Sequence, residues 1–229
     1  MTENIQLDRP PTLVELIVAK LQEAIIRGTI APGTRLTEEK LSQELNTSRT
    51  PLREALFMLE LMGFVRRPRG GGWQVPRFDV EKVLERFEDR VMLEVYAVLR
   101  STAETRAAFI QKAGGLLSRM KKAAEAFDYG AYREADLQFH RSLLSLSPSR
   151  HLRRKFEEAI KHIDWIRRVT IAPLIDMHIS LEDHKKIITA LRGEDVHGAV
   201  TWLLEHTDRQ VLLIREKLAA PKETIEVAT

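Results

Sequence analysis

Between Thr12 and Arg27 the apolar residues Leu13, Leu16, Ile17, Leu21, Ala24 and Ile25 recur at helical spacing, and Gly28 is placed to end the helix. Pro32 and Gly33 mark a turn. Thr37 is then positioned to cap a short helix over about 38–45, and Asn46, a residue that tolerates the left-handed region, is positioned to stop it. A third helix follows almost at once. Ser48 is its expected cap, Pro51 falls in the first turn where a missing N–H costs little, Leu52, Ala55, Leu56 and Leu59 form the apolar stripe, and Gly63 closes it. Phe64 to Arg67 and Trp73 to Val75 flank a glycine-rich turn at Pro68 to Gly72, which predicts a two-stranded hairpin.

Beyond Pro76 the strand signals vanish. Helical periodicity continues, punctuated by Gly114-Gly115, Asp128, Pro148, Pro173 and Gly193, and predicts helices over 79–104, 106–126, 129–146, 149–170, 178–192 and 195–218 packed as an antiparallel bundle. The expected fold class is therefore mostly α, a winged helix-turn-helix followed by an all-helical bundle. The expected organisation is a disordered lead-in over 1–11, a winged helix-turn-helix over 12–77, a helical domain over 78–218 and a flexible tail over 219–229.

Composition narrows the function classes. Apolar residues at 44% and charged residues at 30% are the proportions of a chain that folds around sizeable cores, and no run approaches the roughly 20 apolar residues that a membrane span needs. Met1 to Pro10 carries Glu3 and Asp8 without an apolar segment, so it does not read as a secretory signal and the expected location is the cytoplasm. There is no cysteine, so a metal ion would have to be held by His, Asp or Glu. The net charge of +3 does not by itself announce nucleic acid. Its distribution says more: Arg49 to Arg77 holds six arginines against Glu54 and Glu60, whereas the chain from residue 78 onward is nearly balanced.

On the third helix Arg49 and Arg53 are four residues apart, on a face opposite the leucine stripe. Their guanidinium forks match guanine O6 and N7, while the Ser48 and Thr50 hydroxyls and the helix N-terminal amides suit phosphate oxygens. Arg67 and Arg69 add charge to the hairpin, whose Gly70 to Gly72 backbone can approach DNA closely. In the second domain Asp136 and His140 share a helix face, His184 falls on a stripe with Leu181, Ile188 and Leu191, and His206 on one with Ala199, Leu203 and Gln210. One inward histidine is ordinarily a core residue. A carboxylate and three imidazoles turned inward together would be expensive to bury without a divalent ion, and zinc, nickel, manganese and iron all suit such donors.

The runs Gly28-Thr29-Ile30-Ala31-Pro32-Gly33-Thr34-Arg35-Leu36 and Ser48-Arg49-Thr50-Pro51-Leu52-Arg53-Glu54-Ala55-Leu56, with Leu59 and Gly63-Phe64-Val65, resemble the DNA-binding domain of the GntR family. The resemblance implies base contacts by Arg49 and Arg53, with Arg35, Lys40, Thr50 and the wing glycine Gly71 helping to hold DNA. Arg90-Val91-Met92-Leu93-Glu94, Asp136-Leu137-Gln138-Phe139-His140, and His184 followed by Ala190-Leu191, Asp195, Ala199 and His206 are similar to the FadR-type subgroup with its helical FCD ligand-binding domain. That likeness implies Asp136, His140, His184 and His206 as metal ligands, a small carboxylate or sugar-acid effector on the open coordination positions, and Arg90 as a second anchor for it.

The leading expectation is thus a ligand-responsive regulator, a repressor in the family's commoner mode, binding a palindromic operator as a homodimer. The competing class is a metal-dependent hydrolase in which the Asp/His₃ set activates water. Against it stand the absence of a carboxylate at a readable general-base offset and the DNA-reading module, which a hydrolase would leave unexplained.

Overall fold

Thr12 starts the first helix through a reciprocal cap, its hydroxyl accepting from the Glu15 N–H while the Glu15 carboxylate accepts from the Thr12 N–H at 2.6 Å. The computed structural model describes residues 10–171 and 176–219 and divides the chain into two units, Met1–Arg77 and Phe78–Thr229. The lead-in expected over 1–11 lies outside the described residues except for Pro10 and Pro11. The tail expected over 219–229 does so from residue 220, as does the break expected at Pro173.

In the first unit α1 (Leu13–Ile26) buries Ile17, Val18, Leu21 and Ile25 against α3 (Arg49–Leu61), whose buried residues are the expected Leu52, Ala55, Leu56 and Leu59. Between them lies α2 (Glu38–Glu44), which packs on α3. Thr37 and Ser48 occupy the two N-cap positions with extended backbone, but neither side chain bonds a helix N–H. Asn46 and Gly63 stop their helices at φ of +47° and +79°.

The hairpin differs from expectation. Trp73–Gln74 (β2) pairs antiparallel with Arg35–Leu36 (β1), a strand that the sequence pattern did not announce, and Arg66 meets Gln74 only as a single bridge with N···O distances of 2.8 and 3.0 Å. The sheet thus draws its partner from before α2, and Leu36 and Trp73, opposite one another in the register, are both buried. At the tip Gly71 and Gly72 adopt φ of +73° and +75°, where a side chain would be strained although space for one is open.

The second unit is helical: α4 (Val80–Leu99), α5 (Ala103–Glu125), α6 (Tyr129–Leu143), α7 (Arg150–Ile166), α8 (Met177–Arg192) and α9 (Val196–Ala219). α5 packs on α6 and α8, α4 on α7 and α9, and α8 on α9, around a core that includes Phe87, Phe109, Phe139 and Phe156. The first helix of this unit ends at Leu99, short of the expected 104, because Thr102 and Thr105 cap one another and start α5 there. Gly114-Gly115 lies inside α5, within the helix expected over 106–126. The cost of roughly 1 kcal/mol per interior glycine is outweighed by the burial of Phe109, Ala113, Leu116 and Met120 on either side. His178 lies in the first turn of α8, where Asp176 accepts from its backbone N–H. A 3₁₀ turn at Leu144–Leu146 closes α6, and a π-helical turn at Arg167–Ile171 prolongs α7.

Candidate metal centre and nucleic-acid interface

The residues expected to meet DNA are all exposed: Arg35, Lys40, Ser48, Arg49, Thr50, Arg53, Arg69 and Gly71. Arg53 is not idle. Its Nε and Nη2 donate to the two carboxylate oxygens of Glu38, the first residue of α2, at 3.0 and 2.7 Å. The indole N–H of Trp73 donates to the same carboxylate at 3.4 Å. These hydrogen bonds, Arg53's first, hold the Glu38 carboxyl below its usual range. Lys40 lies 3.7 Å from Glu44 in an exposed pair that contributes little. On the wing the Arg67 guanidinium covers the rings of Phe57 and Trp73 at 4.1 and 4.4 Å, and those rings meet edge to face. Glu38, Phe57 and Trp73 escape a reading by local pattern, since they join the recognition helix to the strand and to α2 across the sequence.

In the second unit the four expected ligands converge. Asp136 and His140 of α6, His184 of α8 and His206 of α9 are all buried and each offers a donor atom, the four lying within 4.8 Å of one another. The Nε2 atoms of His140 and His184 are 3.2 Å apart, and Asp136 Oδ1 lies 3.7 and 3.4 Å from them. Among the described residues His151, His162, His178 and His197 take no part in this cluster.

Three of the four ligands are oriented from behind. Glu94 Oε1 of α4 lies 2.9 Å from His140 Nδ1, and Asp183 Oδ2, itself held by Arg209, lies 3.5 Å from His206 Nδ1. The Arg167 guanidinium, at the start of the π-turn, is ion-paired with Asp136 Oδ2. Such outer contacts fix ring orientation and leave the opposite atom for an ion. His184 Nδ1 and Asp136 Oδ1 are buried without a hydrogen-bond partner, so the donor set fits a divalent ion that would use the orphaned carboxylate oxygen. Arg90, fully buried on α4, pairs with Glu94 at 3.3 Å and places Nη2 3.4 Å from His140 Nε2, while its Nη1 has no partner. A structural ion pair and a place beside the cluster are therefore both true of it.

The protonation states suit metal binding. Burial, then the neighbouring His206, pushes His184 well below the usual histidine range, and burial lowers His206 to about 4. Burial alone would raise the Asp136 carboxyl, but the Arg167 charge and the adjacent histidines outweigh it and hold Asp136 ionised. A cavity of about 250 Å³ reaches His206 and Asp183, with Ile179, Leu212 and Leu213 among its walls. Glu94 and Asp183 had faint sequence signals, one helical turn from Arg90 and next to His184. Arg167 had none.

Comparison with known proteins agrees with both halves. A family model described as "Bacterial regulatory proteins, gntR family" matches residues 13–75, and one described as "FCD domain" matches residues 85–209. The HTH-type transcriptional regulator YdhC of Bacillus subtilis is 23% identical over 226 residues, covering 96% of this chain and 99% of the relative. The HTH-type transcriptional repressor RspR of Escherichia coli is 25% identical over 221 residues, covering 95% and 96%. A crystal structure of a putative transcriptional regulator GntR from Rhodococcus sp. RHA1 superposes with a TM-score of 0.72 at 23% identity, over 91% of this chain and 99% of the other, and shares the fold. Among the described residues no helix is long and apolar enough to cross a membrane.

Proposed function

The chain belongs to the GntR family of bacterial regulatory proteins, as a transcriptional regulator with an FCD domain behind its DNA-binding module, and on that premise we propose that it is a repressor that binds a palindromic operator as a homodimer and is released by a small carboxylate or sugar acid. The first unit reads DNA with Arg49 and Arg53 against base edges and with Ser48, Thr50, Arg35, Lys40, Arg69 and the Gly71 backbone against phosphates. One recognition helix buries too little surface for specific binding, so two copies on a two-fold site are needed. Sedimentation of the full chain as a monomer at micromolar concentration would count against the dimer.

The effector half rests on one observation, the convergence of Asp136, His140, His184 and His206 with Glu94, Asp183 and Arg167 oriented behind them. Zinc, nickel, manganese or iron would fit these four donors. When bound, such an ion supplies open coordination positions to carboxylate oxygens. The chain's own residues do the rest: Glu94 and Asp183 present the imidazoles, Arg167 turns one Asp136 oxygen toward them, and Arg90 offers a guanidinium N–H to a carboxylate. Effector and operator would be coupled by about 1–3 kcal/mol, and reciprocally, so each changes the other's affinity by the same factor.

The hydrolase reading has less support, because the carboxylates behind the ligands are committed to imidazoles or guanidinium groups and leave no base aimed at a water. Metal analysis and calorimetry on the wild type, His184→Ala and Arg90→Ala, with gel shifts on the same samples, test the proposal. His184→Ala is expected to lose stoichiometric metal and effector response yet keep operator binding, and Arg90→Ala to keep metal but lose effector. A His184→Ala protein with normal metal content would overturn it.

A further inference from the structure

The buried cluster contains more positive charge than its four expected ligands reveal. Two arginines, Arg90 and Arg167, are fully buried there, the first against Glu94 and His140, the second against Asp136. Their charges are matched by two equally buried carboxylates, Glu94 and Asp136, while the buried Asp183 behind His206 is matched by Arg209. Imidazoles that ligate an ion are neutral, so with a divalent ion the centre carries two positive charges beyond these matched pairs, in a setting where uncompensated charge is costly.

Both guanidinium groups also keep donors in reserve. Arg90 Nη1 has no hydrogen-bond partner, and Arg167 Nε and Nη2 form none of ordinary geometry, although the Tyr129 hydroxyl faces the same group. A buried arginine with unspent N–H groups is expected to meet an acceptor in the working state. The two arginines approach the cluster through different residues, Arg90 beside His140 and Arg167 beside Asp136.

Resting on the effector-site reading above, we infer that the effector is a dianion, a hydroxy dicarboxylic acid rather than a monocarboxylic one. One carboxylate meets the ion together with Arg90, and the second is received by Arg167. Arg167 is thus a specificity-determining residue that would distinguish acids by their charge.

The test is calorimetry on the full-length, metal-loaded chain with pairs of acids of equal carbon number: malate against 2-hydroxybutyrate, and galactarate against galactonate. The diacid of at least one pair is expected to bind about ten-fold or more tightly than its monoacid. Chelator-stripped protein should lose that preference, because the two charges of the ion are gone. Arg167→Gln, compared with the wild type at matched metal content measured on each sample, should bring the diacid to the monoacid's affinity, whereas Arg167→Lys, which keeps the charge, should retain a preference. Equal affinities within every pair in the wild type overturn the inference without any variant, and so does an Arg167→Gln protein that still prefers the diacid. A chain that holds metal but binds only monoacids refutes the dianion and leaves the effector site standing. A chain that takes up no metal refutes both.

Discussion

Arg53 grips both carboxylate oxygens of Glu38, across fifteen residues of sequence, at 3.0 and 2.7 Å. The side chain expected to read a base is therefore already oriented by a residue of the preceding helix, and a guanine must compete with that carboxylate for the fork. Orientation lowers the entropy lost on contact. Competition penalises sites that offer Arg53 nothing better than a phosphate.

Arg53→Ala is expected to weaken specific operator binding about 10- to 100-fold and to relax selectivity at one base position. Glu38→Gln should act in a different way, tightening binding to random DNA by removing a carboxylate near the phosphates, and lowering the ratio of specific to random affinity. Gel shifts with operator and scrambled duplexes measure both. An unchanged ratio in Arg53→Ala would dismiss the base-reading role.

Arg69 is exposed on the wing and forms no salt bridge among the described residues. Its replacement by alanine should weaken specific and random binding alike and reduce the slope of log affinity against log salt by about one. A loss confined to the operator would instead place Arg69 at a base edge.

Asp183 touches His206 from behind and does not itself enter the cluster. Asp183→Asn should lower metal affinity about 10- to 100-fold while leaving the stoichiometry reachable at high metal concentration, as removal of an orienting partner does. His184→Ala should abolish the stoichiometry altogether. Competition titration with a chromogenic chelator separates the two, and equal losses would mean that Asp183 contributes only to folding.

The histidines set a pH dependence. His206 has a folded value of about 4 against an ordinary 6.5, and His184 is lowered in the same sense. Between these values the unfolded chain binds a proton that the folded chain refuses, so stability is fully present above about 6.5 and drains away as pH falls toward 4. For His206 alone the span corresponds to about 3 kcal/mol. Asp136, held low by Arg167, adds its own loss only below the ordinary carboxylate value. Urea unfolding of chelator-treated protein at pH 7 and pH 5 should show a clear drop, and identical midpoints would mean that the imidazoles are not buried neutral.

Local pattern was enough for much of this protein. The leucine stripe of α3, the arginines spaced four apart on its other face, and the Asp136 and His140 pair one turn apart on α6 are all relations within a single helix, where the 3.6-residue period converts spacing into direction. The His184 and His206 stripes are legible for the same reason. Tertiary structure alone brought Glu38 to Arg53, Arg35 to Gln74, and Arg167 to Asp136 over thirty-one residues. Those meetings depend on how helices and strands pack, and no period within one segment carries that information. Gly114-Gly115 punctuates the pattern without ending the helix expected over 106–126, and apolar burial on both sides carries α5 through it, because a cost of about 1 kcal/mol per glycine is small beside the burial of a phenylalanine and a methionine in a shared core.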